Sequence, residues 1–283
     1  MSVKPAVETI AKDGVGFSVY REAPSWDDRK TASIGQFTCD APEAGAAALE
    51  EAVAALKAEG FQAVIGPMDG DTWHSYRAVV QSDGSAPFLM EPVSGEHDVA
   101  VFTAAGFEPI AQYLSTKVKT ADAIGEAAPP VDGISLHNWD GKSPEAFFGE
   151  VYDFSVAGFA RNAFYKPITR EQFLSLYTPY ADYFKRELIF FARRDNGSLA
   201  GFVFGLPDYG QGPDTRTAIL KTYASAVPGV GYMLADAFHR AALELGYETT
   251  IHALIYEDNS SRKRSGLHGA HEFRRYALLG RKL

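Results

Sequence analysis

The stretch Val227-Pro228-Gly229-Val230-Gly231-Tyr232-Met233-Leu234 decides the fold of the second half of the chain. It joins a long apolar strand, expected at Thr217–Ser225, to an amphipathic helix expected at Gly231–Leu245. The first turn of a helix exposes unpaired N–H groups that favour an anion, and glycine lets a phosphate approach them. The stretch therefore predicts a phosphate-binding turn. A tight turn that needs glycine for its geometry alone is the alternative.

A dinucleotide-binding turn is a weaker interpretation of the same residues. That motif needs a third glycine three residues after Gly231, where this sequence has Leu234. The sequence after the turn is also too short for the repeated strand-helix-strand units of that fold. We therefore set this interpretation aside.

The elements around the turn predict a mixed α/β architecture. A hairpin signal at Asp195-Asn196-Gly197 joins two of the strands, and a capping pattern opens each early helix. In the second half we expect strands at Ile134–Asn138, Glu187–Arg193, Ser198–Gly205, Thr249–Tyr256 and Glu272–Gly280, and helices that begin at Ser143 and Thr169. In the first half we expect strands at Val15–Arg21, Thr31–Thr38, Phe61–Gly66 and Phe107–Lys117, and helices at Gly45–Glu59 and Val99–Ala105.

The two halves carry an internal echo. When the sequence is aligned with itself at a shift of 186 residues, several residues at the ends of elements coincide: Pro42 with Pro228, Gly45 with Gly231, Gly60 with Gly246, and Phe61 with Tyr247. Fixed-period similarity indicates a duplicated fold, although any strand-helix-strand unit has glycine at its corners. The small, polar stretch that ends in Pro129-Pro130 predicts an interdomain linker. We expect domains at 1–120 and 134–283, joined by 121–133.

Composition excludes several classes of function. Asp and Glu number 36 against 27 Lys and Arg, a net charge of -9, which argues against nucleic-acid binding despite the basic cluster at 262–264. No apolar run is long enough to cross a membrane, and the first residues lack a secretory signal. Cys39 is the only cysteine, so no intrachain disulfide or cysteine metal site is expected. The expected compartment is the cytoplasm.

The second half resembles the GNAT acyltransferase superfamily. Its element order matches that fold, and Ala226-Val-Pro-Gly229-Val-Gly231 resembles the pyrophosphate motif Gln/Arg-x-x-Gly-x-Gly/Ala, with Ala226 as a departure. The resemblance implies an α/β (α+β mixed sheet) fold, with two GNAT-like acyl-CoA N-acyltransferase domains in tandem, and acetyl-CoA or another acyl-CoA as co-substrate without a metal. The cofactor-binding residues that it implies are Thr222, Tyr223, Ala224, Gly229, Val230, Gly231, Tyr232, Met233, Asn259 and Ser261.

The first half resembles the same fold only in part. Gly106-Phe107 is similar to the family's final strand entry, but no residues are available for the two early helices. Asp40 and Glu43 stand in the corresponding turn, where they would repel a pyrophosphate. We expect a truncated, degenerate copy that does not bind the cofactor.

The resemblance also implies proton transfers. The family often places a tyrosine seven residues after the loop asparagine, but here that position is Gly266. Tyr223 and His268 are candidate proton donors to the leaving thiolate. Glu257, with His252 as a weaker option, is a candidate acceptor of the amine proton.

The expected function is acyl transfer to the amine of a small molecule or peptide, by direct attack in a ternary complex. A catalytically silent acyl-CoA sensor or scaffold and a purely structural protein are the alternatives, and a homodimer is left open. The segments Gly66–Arg77 and Pro87–Pro92 are rich in proline and aromatic residues. They are expected either to pack over a neighbouring domain or to line a substrate entrance, with His74 as an interface residue.

Overall fold

Both halves of the chain contribute to one sheet. The computed structural model describes residues 5–160, 162–258 and 269–283, and within them twelve strands are joined by hydrogen bonds. The strands are β1 (Val7–Lys12), β2 (Val15–Tyr20), β3 (Thr31–Cys39), β4 (Ala63–Gly66), β5 (Ala78–Ser82), β6 (Glu108–Lys119), β7 (Ile134–Asn138), β8 (Ile189–Arg194), β9 (Leu199–Pro207), β10 (Thr217–Ser225), β11 (Thr249–Tyr256) and β12 (His271–Lys282). The helices are α1 (Pro42–Ala58), α2 (Asp98–Ala104), α3 (Pro144–Phe159), α4 (Arg170–Tyr177) and α5 (Val230–Glu244).

The halves exchange their last strands. The order across the sheet is β1-β2-β3-β4-β12-β6-β11-β10-β9-β8-β7, and β5 also pairs with β12. Thus β12, from the second half, lies between β4 and β6 of the first half, and β6 lies beside β11 of the second.

The duplication is visible in the register of the sheet. The shift of 186 residues carries Thr31 to Thr217 and Cys39 to Ser225, the bounds of β3 and β10. It also carries the parallel pair Thr31–Ala63 to the parallel pair Thr217–Thr249. Each half therefore holds a strand-helix-strand unit with the same register, and the first half lacks counterparts of α3 and α4. The predicted tandem arrangement, with a truncated first copy, is confirmed.

Some elements differ from the sequence prediction. β1 and β5 were not expected, since each is short and largely exposed on one side and neither shows a strong apolar alternation. The second early helix ends at Tyr177 and continues as a 3-10 segment, Thr178–Tyr183. Pro179 lacks the N–H that an α-helix would need there, so the backbone tightens instead of continuing α4.

Helices cover both faces of the second half. Along β9, Phe202 and Phe204 pack with the aromatic residues of α3 and α4, whereas Val203 packs with α5. Because side chains alternate along a strand, α3 and α4 lie on one face of the sheet and α5 lies on the other.

The segment 121–133 follows the surface of α5. Asp236 of α5 accepts the Ala128 N–H at 3.3 Å, and Arg240 donates to the Gly125 carbonyl at 3.2 Å. The division of the chain into domains at this segment stays a prediction, because the sheet runs through both halves.

The exchange of strands predicts how the halves behave when separated. Residues 134–283 alone would leave both edges of β12 and one edge of β11 unpaired, and exposed strand edges promote aggregation. We expect each fragment, 1–120 and 134–283, to aggregate when expressed alone, and the two to form a soluble 1:1 complex when co-expressed. Size-exclusion chromatography checks this. A monomeric 134–283 fragment that melts at the full-length temperature would contradict it.

Candidate functional site

The strands β10 and β11 separate along their length. They pair in parallel from Thr217–Thr249 to Leu220–His252, and then both continue without further pairs, to Ser225 and Tyr256. At this point the pairing of β10 with β9 shifts register around Lys221, and the pairing of β11 with β6 shifts after His252. Bulges of this kind bend strands and often border functional sites. The result is an opening within the sheet.

A cavity of about 870 Å³ passes through this opening. On one face it reaches Tyr232 and His239 of α5, and on the other it reaches Phe147 and Phe173 of α3 and α4. It therefore connects the two faces of the sheet. Its volume is within the range of small-molecule sites, and most of its lining is apolar.

The first half closes the corresponding place in its own sheet. The Met68 N–H donates to the Ile34 carbonyl at 2.8 Å, and the Asp69 carboxylate accepts the Gln36 N–H at 2.8 Å. The segment after β4 thus pairs across the carboxyl end of β3 where the second half is open. This agrees with a degenerate first copy.

The first half instead forms a wall of the second half's cavity. Trp73 lies against Phe173, with ring centroids 5.3 Å apart, and its indole N–H donates to the Lys166 carbonyl at 3.0 Å. His74, Tyr76 and other residues of the same segment line the cavity. The segment Gly66–Arg77 therefore both packs on the other half and borders the cavity.

Lys221 is a strongly perturbed titratable group of the site. It is half-buried on the cavity wall and its Nζ donates to the Met90 carbonyl at 2.9 Å. Loss of hydration on burial lowers the pKa of Lys221 to about 7, an effect that the positive charge of Arg77 reinforces and the carboxylate of Glu91 opposes. Near neutral pH, this amine is therefore partly uncharged and able to accept a proton.

A buried ion pair fixes the loop that holds Met90. Arg274 of β12 donates to Glu91 at 2.5 Å, and Tyr276 of the same strand donates to the other Glu91 oxygen. The two charged side chains are 3% and 0% exposed. Breaking such a pair leaves a buried charge, at a cost of about 3–5 kcal/mol. β12 thus positions the carbonyl that contacts Lys221.

Two histidines meet where the opening begins. The Nε2 atoms of His239 on α5 and His252 on β11 lie 2.8 Å apart, and His252 Nδ1 is 3.2 Å from the Thr116 hydroxyl. His252, the weaker candidate acceptor, therefore has a partner at each ring nitrogen. On the first-half wall, the Asp71 carboxylate lies 2.8 Å from His74 Nδ1, and this hydrogen bond raises the pKa of His74.

The turn before α5 requires glycine at position 229. Gly229 has φ of +86°, and a Cβ there would meet the Val131 side chain at 3.0 Å. The Val230 and Tyr232 N–H groups bond back to Val227 and Gly229 carbonyls at 3.3 and 3.0 Å. Among the described backbone groups, this leaves the Gly231 N–H as the first-turn donor without such a partner. Turn geometry accounts for Gly229, whereas anion binding at Gly231 stays a prediction.

The cofactor-binding residues expected from the sequence occupy different places. Thr222, Tyr223 and Tyr232 line the cavity. Gly229, Val230, Gly231 and Met233 form the turn and the start of α5, and Ala224 lies near the end of β10. The predicted residues Asn259 and Ser261 fall outside the described residues. The cofactor contacts of all of them stay a prediction.

The predicted catalytic residues are also not brought together as one group. Tyr223 lines the cavity, whereas Glu257 is bonded to Arg275 at 3.3 Å and is not part of the cavity wall. His268 lies outside the described residues. Sequence reasoning missed Lys221 and His239. A lysine at the centre of the strand Thr217–Ser225, directly after the apolar run Ala218–Leu220, was a signal that could have identified the first.

The described residues include neither a metal-binding cluster nor a membrane-spanning helix. In these ranges no group of three or more His, Cys, Asp or Glu side chains is placed to hold a metal ion. None of the helices described is long and apolar enough to cross a membrane.

Solved structures share this architecture. No protein-family model and no curated protein matches the chain. A GCN5-related N-acetyltransferase from Sphaerobacter thermophilus superposes with a TM-score of 0.58 and 12% identity, over 95% of this chain and 76% of that one. A tandem GNAT protein from the clavulanic acid biosynthesis pathway gives 0.56 and 16%, over 99% and 84%. This chain has the tandem GNAT fold. A probable N-acyltransferase from Enterococcus faecalis V583 gives 0.56 and 11%, over 95% of this chain and 59% of that one.

Proposed function

We propose that the protein is an acyl-CoA-dependent N-acyltransferase, with acetyl-CoA as the first donor to test. The observation that carries this proposal is the opening between β10 and β11 beside the first turn of α5, which continues into a large cavity. Proteins with this fold and acyltransferase names support the same assignment. The acceptor is the amine of a small molecule or peptide, no metal takes part, and the cytoplasm is the proposed compartment.

The described residues fit an extended acyl-CoA. The first turn of α5 offers the Gly231 N–H and the positive end of the helix to a pyrophosphate. The opening next to it passes through the sheet, and Thr222 and Tyr223 form one side of it. An acyl group that enters from α5 would therefore arrive beside Lys221, facing the cavity on the α3 and α4 side.

The reaction needs an uncharged amine. The amine nitrogen forms a bond to the acyl carbon, the carbon–sulfur bond breaks, and its electron pair leaves with the sulfur as a thiolate. Lys221 accepts the proton that the amine loses, since its lowered pKa keeps part of it uncharged near pH 7. Tyr223, on the same strand, is the proposed donor to the thiolate. The aromatic walls of the cavity exclude water, which would otherwise hydrolyse the thioester.

Replacement of Gly231 tests the donor site. Gly231→Glu places a negative charge at the first-turn N–H that has no backbone partner among the described residues, so calorimetric affinity for CoA should fall at least about tenfold, or ~1.4 kcal/mol. The matched control is Gly158→Glu, at an exposed glycine near the end of α3 whose Cβ position is open. It should bind CoA as the wild type does.

Melting curves without CoA show whether each variant is folded. A folded Gly231→Glu variant with unchanged CoA affinity would remove this turn from the site. Wild-type protein that binds acetyl-CoA but releases no free CoA with a broad panel of amines would favour the sensor or scaffold alternative instead.

The pH dependence of turnover tests Lys221. Because only its uncharged form accepts a proton, kcat/KM should rise through about pH 7 and then level off as Lys221 loses its charge. The ionisation of the acceptor amine adds a second pH-dependent rise of kcat/KM in every variant. The effect of Lys221 is therefore measured by comparison with Lys221→Met. This variant should lose the rise near pH 7 and most of its activity. An unchanged profile would show that Lys221 is not the proton acceptor.

A further inference from the structure

Arg77 is a buried cation whose side-chain donors are only partly satisfied among the described residues. The residue is 6% exposed, it lines the large cavity, and its Nε and Nη1 atoms have no partner among the described residues. Burying a guanidinium without hydrogen bonds is costly, so these donors require water or a ligand from the cavity.

The surroundings of Arg77 are aromatic. Its guanidinium lies against the rings of Tyr76 and Tyr113, with centroids at 3.8 and 4.0 Å, and the two ring planes are 87° apart. These cation–π contacts stabilise the positive charge, but they leave Nε and Nη1 without a hydrogen-bond acceptor among the described residues. An anionic acceptor such as a carboxylate can accept hydrogen bonds from these donors.

The backbone at Arg77 is held in an uncommon conformation. Its φ is +75°, in the left-handed region that non-glycine residues rarely adopt, and its N–H donates to the Pro67 carbonyl at 2.8 Å. Such strain costs on the order of 1–3 kcal/mol and is concentrated at ligand and active sites. The backbone conformation that keeps this side chain at the cavity wall therefore lowers the stability of the fold.

Several other charged groups on this wall already have partners. Glu91 is paired with Arg274, and His74 is paired with Asp71. The Asp69 carboxylate accepts the Gln36 N–H, and its pKa is raised because burial disfavours its charge. Lys221, the remaining neighbour, adds positive charge when protonated. Arg77 thus places a permanent positive charge on this part of the cavity wall.

The shape of the cavity indicates the side from which an anion arrives. Arg77 also borders a second cavity of about 90 Å³, which has room for a few water molecules but not for an acceptor. The large cavity has the volume for one, and its aromatic residues Trp73, Phe159 and Phe173 provide apolar surface close to the charges.

We propose that Arg77 binds a carboxylate of the acceptor, so that the protein acylates amines that also carry a carboxylate and an apolar body. The identity of the amine as acceptor rests on the proposed acyltransferase function, whereas the carboxylate site does not. The truncated first half, which has lost its own opening, then has a binding role: it supplies the residue that selects the acceptor for the second half.

Equilibrium binding tests the carboxylate site without any acyl transfer. The probes are two acid and amide pairs of equal shape, 3-phenylpropanoate with 3-phenylpropanamide and pentanoate with pentanamide, titrated calorimetrically into the full-length protein. We expect the wild type to bind each acid at least about tenfold more tightly than its amide, because only the acid makes a charge-assisted hydrogen bond. Arg77→Met should abolish this preference, and Arg77→Lys, which keeps the charge, should retain part of it.

The matched control is Arg216→Met, which removes an exposed arginine that pairs with Glu248 at the surface. It should keep the full preference. Equal binding of acid and amide by the wild type, which water at Arg77 would produce, overturns the proposal, as does binding of neither. An unchanged preference in folded Arg77→Met or in Arg77→Lys also overturns it.

Turnover separates this inference from the proposed function. With acetyl-CoA, the ratio of kcat/KM for phenylalanine to that for phenylalaninamide should fall at least about tenfold in Arg77→Met relative to wild type. Turnover with an unchanged ratio would leave the acyltransferase standing and overturn the role of Arg77. An acid preference that depends on Arg77, in a protein without turnover, would support the carboxylate site and reject the acyltransferase.

Discussion

The insertion of β12 between β4 and β6 is the constraint on which the rest of the structure depends. The backbone groups of β12 find their partners only on strands of the first half: β6 on one edge, β4 and β5 on the other. In return, β6 provides the second edge that β11 needs. Because buried backbone groups must be paired, neither half can complete its sheet alone. The two copies of the fold therefore form one structural unit.

This exchange also builds the site. β12 carries Arg274 and Tyr276, which hold the buried Glu91 and thereby place the Met90 carbonyl against Lys221. The loop that presents Arg77 leads directly into β5, another neighbour of β12. The cavity wall that faces β10 is thus made from the first half, and its charges are oriented by a strand of the second. A change in this packing would alter the pKa of Lys221, because that pKa depends on both Arg77 and Glu91.

The two copies of the fold differ at the corresponding place in the sheet. The copy in the second half keeps the separated strands and the glycine turn, which suit an extended anionic donor. The copy in the first half closes its opening with Met68 and Asp69 and offers a charged, aromatic wall instead. We infer that the two copies now bind different substrates of one reaction.

The sequence predicts the local elements well and the long-range pairings poorly. Strands Ile134–Asn138, Thr217–Ser225 and Thr249–Tyr256 have the predicted bounds, because their apolar runs end at clear turn residues. The exchange of β6 and β12 pairs strand edges that are distant in the sequence and meet only after folding. No local sequence pattern therefore predicts it. The environment of Lys221 likewise comes from two residues far away in the sequence. Tyr223 lines the cavity, and its role stays a prediction, as do the roles of Asn259, Ser261 and His268.

The central claim is that an acyl-CoA passes through the opening between β10 and β11 to reach Lys221. A crystal structure with a thioether analogue of acetyl-CoA, which cannot transfer its acyl group, tests this claim most directly. We expect the pyrophosphate to lie at the Gly231 N–H, the pantetheine to lie between the two strands, and the acyl end to lie beside Lys221 and Tyr223. An analogue bound elsewhere on the protein, or an opening that stays empty at saturating concentration, would contradict it.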